Sequence, residues 1–105
     1  MRSWKPIEKS ELEVLIQVQL SRCSADQRAT YESFSIRLKK YPLVQNGELD
    51  SVFVAALKNG EAMYWNDIEE GWNFSPVSEK GGILEYWCNQ DELEHALTRW
   101  ATSVS

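Results

Sequence analysis

The residue types that do most chemistry are scarce in this chain. One histidine, His95, and two cysteines, Cys23 and Cys88, are its whole supply of imidazole and thiol. His95 follows Asp91 by four residues and precedes Arg99 by four, which puts it among charges on the polar side of a helix. A triad histidine needs a cleft, an orienting carboxylate and a nucleophile held on a sharp turn. No nucleophile elbow or Gly-rich oxyanion loop occurs, so His95 reads as a surface residue. Cys88 and His95 lie seven residues apart with only Cys23 as a further soft ligand, short of the four donors a structural zinc requires. There is no CxxC pair, and the cysteines read as free, mostly buried thiols. Gly81-Gly82 lacks the rest of a phosphate-binding loop.

The densest chemistry is the run "YWNDIEEGWNFSP", residues 64–76, where Trp65 and Trp72 bracket Asp67, Glu69 and Glu70. Its oxygens are packed into too short a span for an EF-hand, which spaces six to eight ligands through a twelve-residue loop. Glu69 and Glu70 are adjacent, and on a strand adjacent side chains point to opposite faces, so they cannot flank one glycosidic bond. The pattern fits a protein-binding patch, an aromatic anchor with a charged rim. Trp65, Asp67, Glu69, Glu70 and Trp72 are then the candidate contact residues. The run also fits plain structure. Asp67 would end a strand, Glu69 and Glu70 would solvate a turn, Gly71 would supply an unusual φ, and both tryptophans would pack the core.

Composition narrows the classes. A chain of 105 residues, 43% hydrophobic and 26% charged, fits one globular domain spanning 1–105. Its formal net charge of -5 repels phosphate backbones and anionic headgroups, so neither nucleic acid nor a membrane is an expected partner. The RNA-binding aromatic motifs are absent too. Residues 1–47 carry eight Lys and Arg against five Asp and Glu, whereas residues 48–105 carry three against eleven. That asymmetry can leave one acidic face, which steers a basic partner. The first residues, "MRSWKPIEKSELEV", contain no apolar h-region, and the longest apolar run is "VFVAAL", residues 52–57. The expected location is the cytoplasm.

These residues need elements to place them. Trp4 and Ile7 in the lead-in can tuck onto the body. "SELE" predicts a helix with Ser10 as N-cap and Glu13 closing a capping box. Leu12, Leu15, Ile16, Gln19, Leu20 and Cys23 then share one helical face. The alternation of Leu12, Val14, Ile16, Val18 and Leu20 competes as a strand, but the cap and the absence of Gly and Pro favour helix. "SADQ" predicts a second, short helix from Ala25 to about Glu32, with a thin apolar face. In "FSIRLKKY", Phe34, Ile36 and Leu38 alternate with polar residues as a half-buried strand, and Pro42 with the paired lysines suits a sheet edge. Asn46-Gly47 and Asn59-Gly60 predict hairpin turns around a central strand "SVFVAAL". A two-residue turn at Asn59-Gly60 pairs Lys58 with Glu61, Val54 with Trp65 and Val52 with Asp67. Met63 and Trp65 then share a face with Val52, Val54 and Ala56. Trp72 and Phe74 continue as a short strand, and "ILEYW", residues 83–87, reads as a last one. The final helix opens at Asn89 as N-cap, with Glu92 three residues on and Cys88 against Leu93 as a staple. It buries Leu93, Ala96, Leu97 and Trp100. The expected fold is α+β: an N-terminal helix, an antiparallel meander of three to five strands and a C-terminal helix, with helices mainly on one sheet face.

"SVFVAALKNGEAMYWNDIEEGWNFSP" followed by "WCNQDEL" resembles small bacterial proteins without an assigned activity. The resemblance spans residues 51–93 and a little of the first helix, and it implies no catalytic residue. The sequence supports no cofactor or metal. It points first to a small acidic, non-enzymatic domain that binds another protein, in one form an inhibitor or immunity-type protein covering a basic active site. The second reading is a small-molecule-binding domain or small enzyme with an aromatic pocket walled by Trp65, Trp72 and Tyr86. A third is a homo-oligomer formed through exposed rings, since five tryptophans and four tyrosines are many for so small a core.

Overall fold

A computed structural model describes residues 7–44, 51–87 and 89–102. Among them the order is α1 (Lys9–Leu20), α2 (Ala25–Phe34), β1 (Ser35–Pro42), β2 (Ser51–Lys58), β3 (Glu61–Asn66), β4 (Gly71–Pro76) and α3 (Leu93–Thr102). The strands form one antiparallel sheet in the order β1-β2-β3-β4. This is the expected α+β meander between terminal helices. Trp4, the Asn46-Gly47 turn and the Cys88 staple lie outside the described residues.

Helix α1 begins earlier than the Ser10 cap predicts. The N-cap is Glu8, whose N–H donates to the Glu11 side chain at 2.9 Å. The chain is already fixed here, because Ile7 N–H donates to Asp67 Oδ2 at 2.6 Å. Helix α2 has the expected cap: Gln27 N–H donates to Ser24 Oγ at 3.1 Å and Ser24 N–H to Gln27 Oε1 at 2.8 Å. No α2 residue is fully buried, which matches its thin apolar face.

Helical residues Leu12, Ile16, Leu93, Ala96, Leu97 and Trp100 bury one face of the sheet together with Leu38, Met63, Trp65 and Trp72. Val52, Val54, Ala62, Tyr64, Leu43 and Ile83 form a second, smaller core on the other face. The sheet therefore has two covered faces, with the helices on one of them.

A bulge decides which β2 residues go to which core. From the turn outward, Lys58 pairs with Glu61, Leu57 with Ala62 and Ala56 with Met63, as a two-residue Asn-Gly turn requires. Both turn residues have positive φ, 51° at Asn59 and 82° at Gly60. Beyond Ala56 the register slips: Val54 pairs with Tyr64, not Trp65, and Ala55 is the extra residue. Ala55 and Ala56 thus both face the helices, while Val52 and Val54 turn to the second core. The predicted sharing of one face by Val52, Val54, Met63 and Trp65 is corrected by this single inserted residue. The β1–β2 register shifts at the same place, between Ser35 and Lys39. It sends Leu38 to the helix side and Ile36 to the other, so those two residues do not share the predicted face. Strand β1 does lie at the sheet edge.

Two further expectations are corrected beyond β4. "ILEYW" is not a strand, since within it only Ile83 forms bridges, to Leu43 and Val77. Residues 84–87 and 89–90 instead lie as a strap across the second sheet face. There their backbone meets buried side chains of β3 and β4 in place of a neighbouring strand. Ser75 Oγ accepts from Leu84 and Glu85 N–H at 3.1 and 2.8 Å. Tyr64 OH donates to Glu85 O at 3.1 Å and accepts from Trp87 N–H. Asn66 Nδ2 donates to Trp87 O at 2.7 Å. The Asn73 amide accepts from Asn89 N–H and donates to Asn89 O, both at 3.0 Å. Asn89 is therefore held by Asn73 and is no helix cap. Helix α3 starts at Leu93, and its first N–H donates to Gln19 Oε1 of α1 at 2.8 Å. A side chain from another element supplies the cap that local sequence was expected to provide.

Glu61 ties α3 to the Asn-Gly hairpin. Its carboxylate accepts from Arg99 Nη2 at 2.8 Å and from Trp100 Nε1 at 2.6 Å. Burial pushes the Glu61 pKa up, but the bonds from Arg99 and Trp100 and the charges of Arg99 and Lys58 outweigh it and hold it below the ordinary value. The folded state then binds a proton at Glu61 less readily than the unfolded chain. The stabilisation is complete above the unfolded glutamate pKa of about 4.3 and is lost as pH falls through the lower folded value. The melting-temperature gap between the native chain and Glu61→Gln should be widest near neutrality and should narrow as pH falls below the ordinary glutamate range. A gap independent of pH would contradict this.

Candidate functional site

The run 64–76 folds as the β3–β4 hairpin. Trp65 pairs directly with Trp72, and Asn66 with Gly71, closing a four-residue turn of Asp67, Ile68, Glu69 and Glu70. Asn66 Oδ1 accepts from Ile68 and Glu69 N–H at 3.0 and 3.1 Å, the local bonding that makes asparagine a turn former. The positive φ of the turn belongs to Glu70, at 58°, and not to Gly71 as expected. Gly71 is required for a different reason. A Cβ there would stand 2.4 Å from both Asn89 O and Gln90 Cα, because the strap crosses the sheet edge at that point.

The five predicted contact residues divide by side chain. Trp65 and Trp72 are 4% and 0% exposed and pack edge to face, with ring centroids 5.1 Å apart. Trp72 Nε1 donates to Gln19 Oε1 at 3.0 Å, and Trp65 Nε1 to Asp67 Oδ1 at 3.3 Å. Neither ring offers a partner its face. Asp67, Glu69 and Glu70 do gather on the turn. Asp67 is used by Ile7 and Trp65, and Glu69 Oε1 accepts from Gln90 Nε2 at 3.1 Å. Among the described residues no lysine or arginine forms a salt bridge with any of the three.

Two residues at this end were missed. Ile68, at the tip of the turn, is 65% exposed, and Trp87, on the strap, is 51% exposed. The Asn66 amide links them, bonding Ile68 N–H through its oxygen and Trp87 O through its nitrogen. The Trp87 indole donates to Glu85 Oε1 at 3.3 Å, so this ring too has a carboxylate beside it. A signal existed for Ile68, an apolar residue inside "NDIEEG" where turns are polar. For Trp87 there was none, since reading 83–87 as a strand hid its exposure.

A cleft of about 430 Å³ opens beside the turn, between α1 and the hairpin. Ile7, Leu15 and an edge of Trp65 wall it, and Asp67, Glu70 and Glu92 contribute carboxylates. Arg22 reaches the same cleft and bonds Glu92 at 3.0 Å.

Compared with known proteins, the chain matches no family model, no curated protein and no solved structure.

The site's geometry bears on the alternative readings. Trp65 and Trp72 lie in the helix-side core, whereas Tyr86 stacks on Tyr64 on the opposite sheet face, with centroids 6.1 Å apart. The three rings do not wall a common pocket. Cys23 is a free, buried thiol at the end of α1; burial, followed by the nearby Glu94 carboxylate, raises its pKa, the reverse of what a nucleophilic thiolate needs. His95 is exposed on α3, away from the buried stripe. Among the described residues no group of His, Cys, Asp and Glu is placed to hold a metal, and no helix is long and apolar enough to cross a membrane.

Proposed function

We propose that this chain is a non-enzymatic protein-binding domain. It docks a basic partner through the end that carries Ile68, Trp87 and the carboxylates of Asp67, Glu69 and Glu70. The observation behind this reading is the exposure of Ile68 and Trp87 beside acidic groups that no described lysine or arginine neutralises. Exposed apolar anchors ringed by like charge form a surface that water and anions leave poorly covered and that a cationic surface complements. An inhibitor that caps a basic active site is one form of this function. A free Cys23 fits the reducing cytoplasm.

The test begins with co-purification from the native cell and ends on the purified pair. Trp87→Ser with Ile68→Ser should weaken binding by about thirtyfold, the effect of removing anchors worth about 2 kcal/mol. Changing Asp67, Glu69 and Glu70 to Ser should mainly slow association and flatten its salt dependence. A partner that binds both variants with native affinity removes the proposal. A second copy of the chain, meeting this end with the exposed Arg37, Lys39 and Lys40 of β1, is the other occupant with matching charge. Sedimentation as a monomer at roughly 100 μM, where a micromolar dimer would be mostly formed, excludes it.

A further inference from the structure

We infer that the cleft between α1 and the β3–β4 hairpin receives an arginine side chain of that basic partner. The inference rests on the proposed docking at the acidic end and adds the chemistry by which one partner residue is recognised. The cleft has two kinds of lining. Ile7, Leu15 and Trp65 give it apolar walls, which suit the methylene stem of a long side chain. Asp67, Glu70 and Glu92 supply acceptors for its charged head, and Arg22 already balances Glu92. Among the described residues no lysine or arginine forms a salt bridge with Asp67 or Glu70, so both keep their negative charge toward the cleft.

Asp67 has capacity to spare. Its two oxygens accept one hydrogen bond each, from Trp65 and Ile7, while a carboxylate offers about four lone-pair sites. Those same two bonds hold the carboxylate in place, so little side-chain freedom is lost when a cation arrives. Arginine fits better than lysine. A planar five-donor fork serves two carboxylates at once and tolerates apolar, aromatic surroundings, whereas a compact ammonium is more strongly hydrated and gives up more on entering. The volume, about 430 Å³, admits such a side chain from outside with room for water.

The probe is the blocked tripeptide acetyl-Gly-Arg-Gly-amide, titrated into the intact chain and followed by proton–nitrogen NMR. Its citrulline counterpart keeps the shape and removes the charge. The Arg peptide should shift the Trp65 indole N–H and the Glu70 amide saturably, and the citrulline peptide should bind about tenfold more weakly or less. Glu70→Gln should weaken the Arg peptide by a similar factor. Glu70 is exposed, and an unchanged Trp72 indole resonance verifies the fold of the variant. Equal shifts from both peptides, or no saturable shift at Trp65 and Glu70, overturn the assignment. The partner-binding measurements on the Ile68/Trp87 variant read the docking proposal separately. A chain that keeps its Ile68- and Trp87-dependent partner yet ignores the Arg peptide loses the cleft assignment alone.

Discussion

Replacing Gln19 with leucine should lower the stability of this domain by about 3 kcal/mol, although leucine is similar in size and more apolar. Gln19 is buried in α1, and its single Oε1 accepts from Trp72 Nε1 at 3.0 Å and from Leu93 N–H at 2.8 Å. One atom thus joins the first helix, the last strand and the start of the last helix. Leucine leaves both donors buried without an acceptor, and each such orphan costs about 1–3 kcal/mol. Burial of the extra apolar surface offsets part of this. In thermal unfolding the melting temperature should fall by roughly 10–20 °C. The origin can be isolated by a cycle with Trp72→Phe, which deletes one donor. If the orphaned N–H carries the cost, the double variant should be less destabilised than the sum of the singles by about 1 kcal/mol or more. Simple additivity would assign the loss to packing and contradict the mechanism.

Gly71→Ala should be nearly as damaging, at about 2–3 kcal/mol, for a steric reason. The added methyl would meet Asn89 O and Gln90 Cα at 2.4 Å, and both belong to backbone that cannot rotate away. The strap must lift. Lifting it strains the paired bonds between the Asn73 amide and Asn89, and the bond from Trp72 N–H to Asp91 O at 2.9 Å. Hydrogen exchange should therefore speed up at the Asn89 and Trp72 amides while α1 amides keep their order. Gly60→Ala is the internal control. Gly60 also lies in a turn, at φ 82°, but an added Cβ there meets nothing within 4 Å. Its cost is only the left-handed backbone penalty of about 1–2 kcal/mol. If Gly71→Ala costs no more than Gly60→Ala, the close crossing is not what holds the strap.

The strap links these variants to the proposed function. Trp87 is presented to solvent because the strap's backbone is held down by Tyr64, Asn66 and Asn73, not because of any strand. A loosened strap should weaken partner binding through Trp87 even where the turn of Asp67, Glu69 and Glu70 is untouched.

Local features were legible from the sequence wherever a few neighbouring residues set the energy. The Ser24–Gln27 cap, the Asn59-Gly60 turn with Lys58 opposite Glu61, the edge position of β1 and the stripe of Leu93, Ala96, Leu97 and Trp100 all follow from short-range bonding and periodicity. So do the α+β class and the turn at Glu69 and Glu70, whereas Asp67, expected to end a strand opposite Val52, lies past the end of β3 on that same turn. Tertiary structure decided whatever depends on a partner far along the chain. The bulge at Ala55 reassigns Val52 and Val54 because two cores must be filled at once, and alternation alone cannot register an inserted residue. Asn89 looks like a helix cap by spacing, yet Asn73 claims it and Gln19, 74 residues from Leu93, caps α3 instead. Trp65 and Trp72 looked like anchors beside acids, but burying a large ring against the helices is worth more than leaving it wet. The exposed anchors, Ile68 and Trp87, became visible only once the hairpin and the strap were placed side by side.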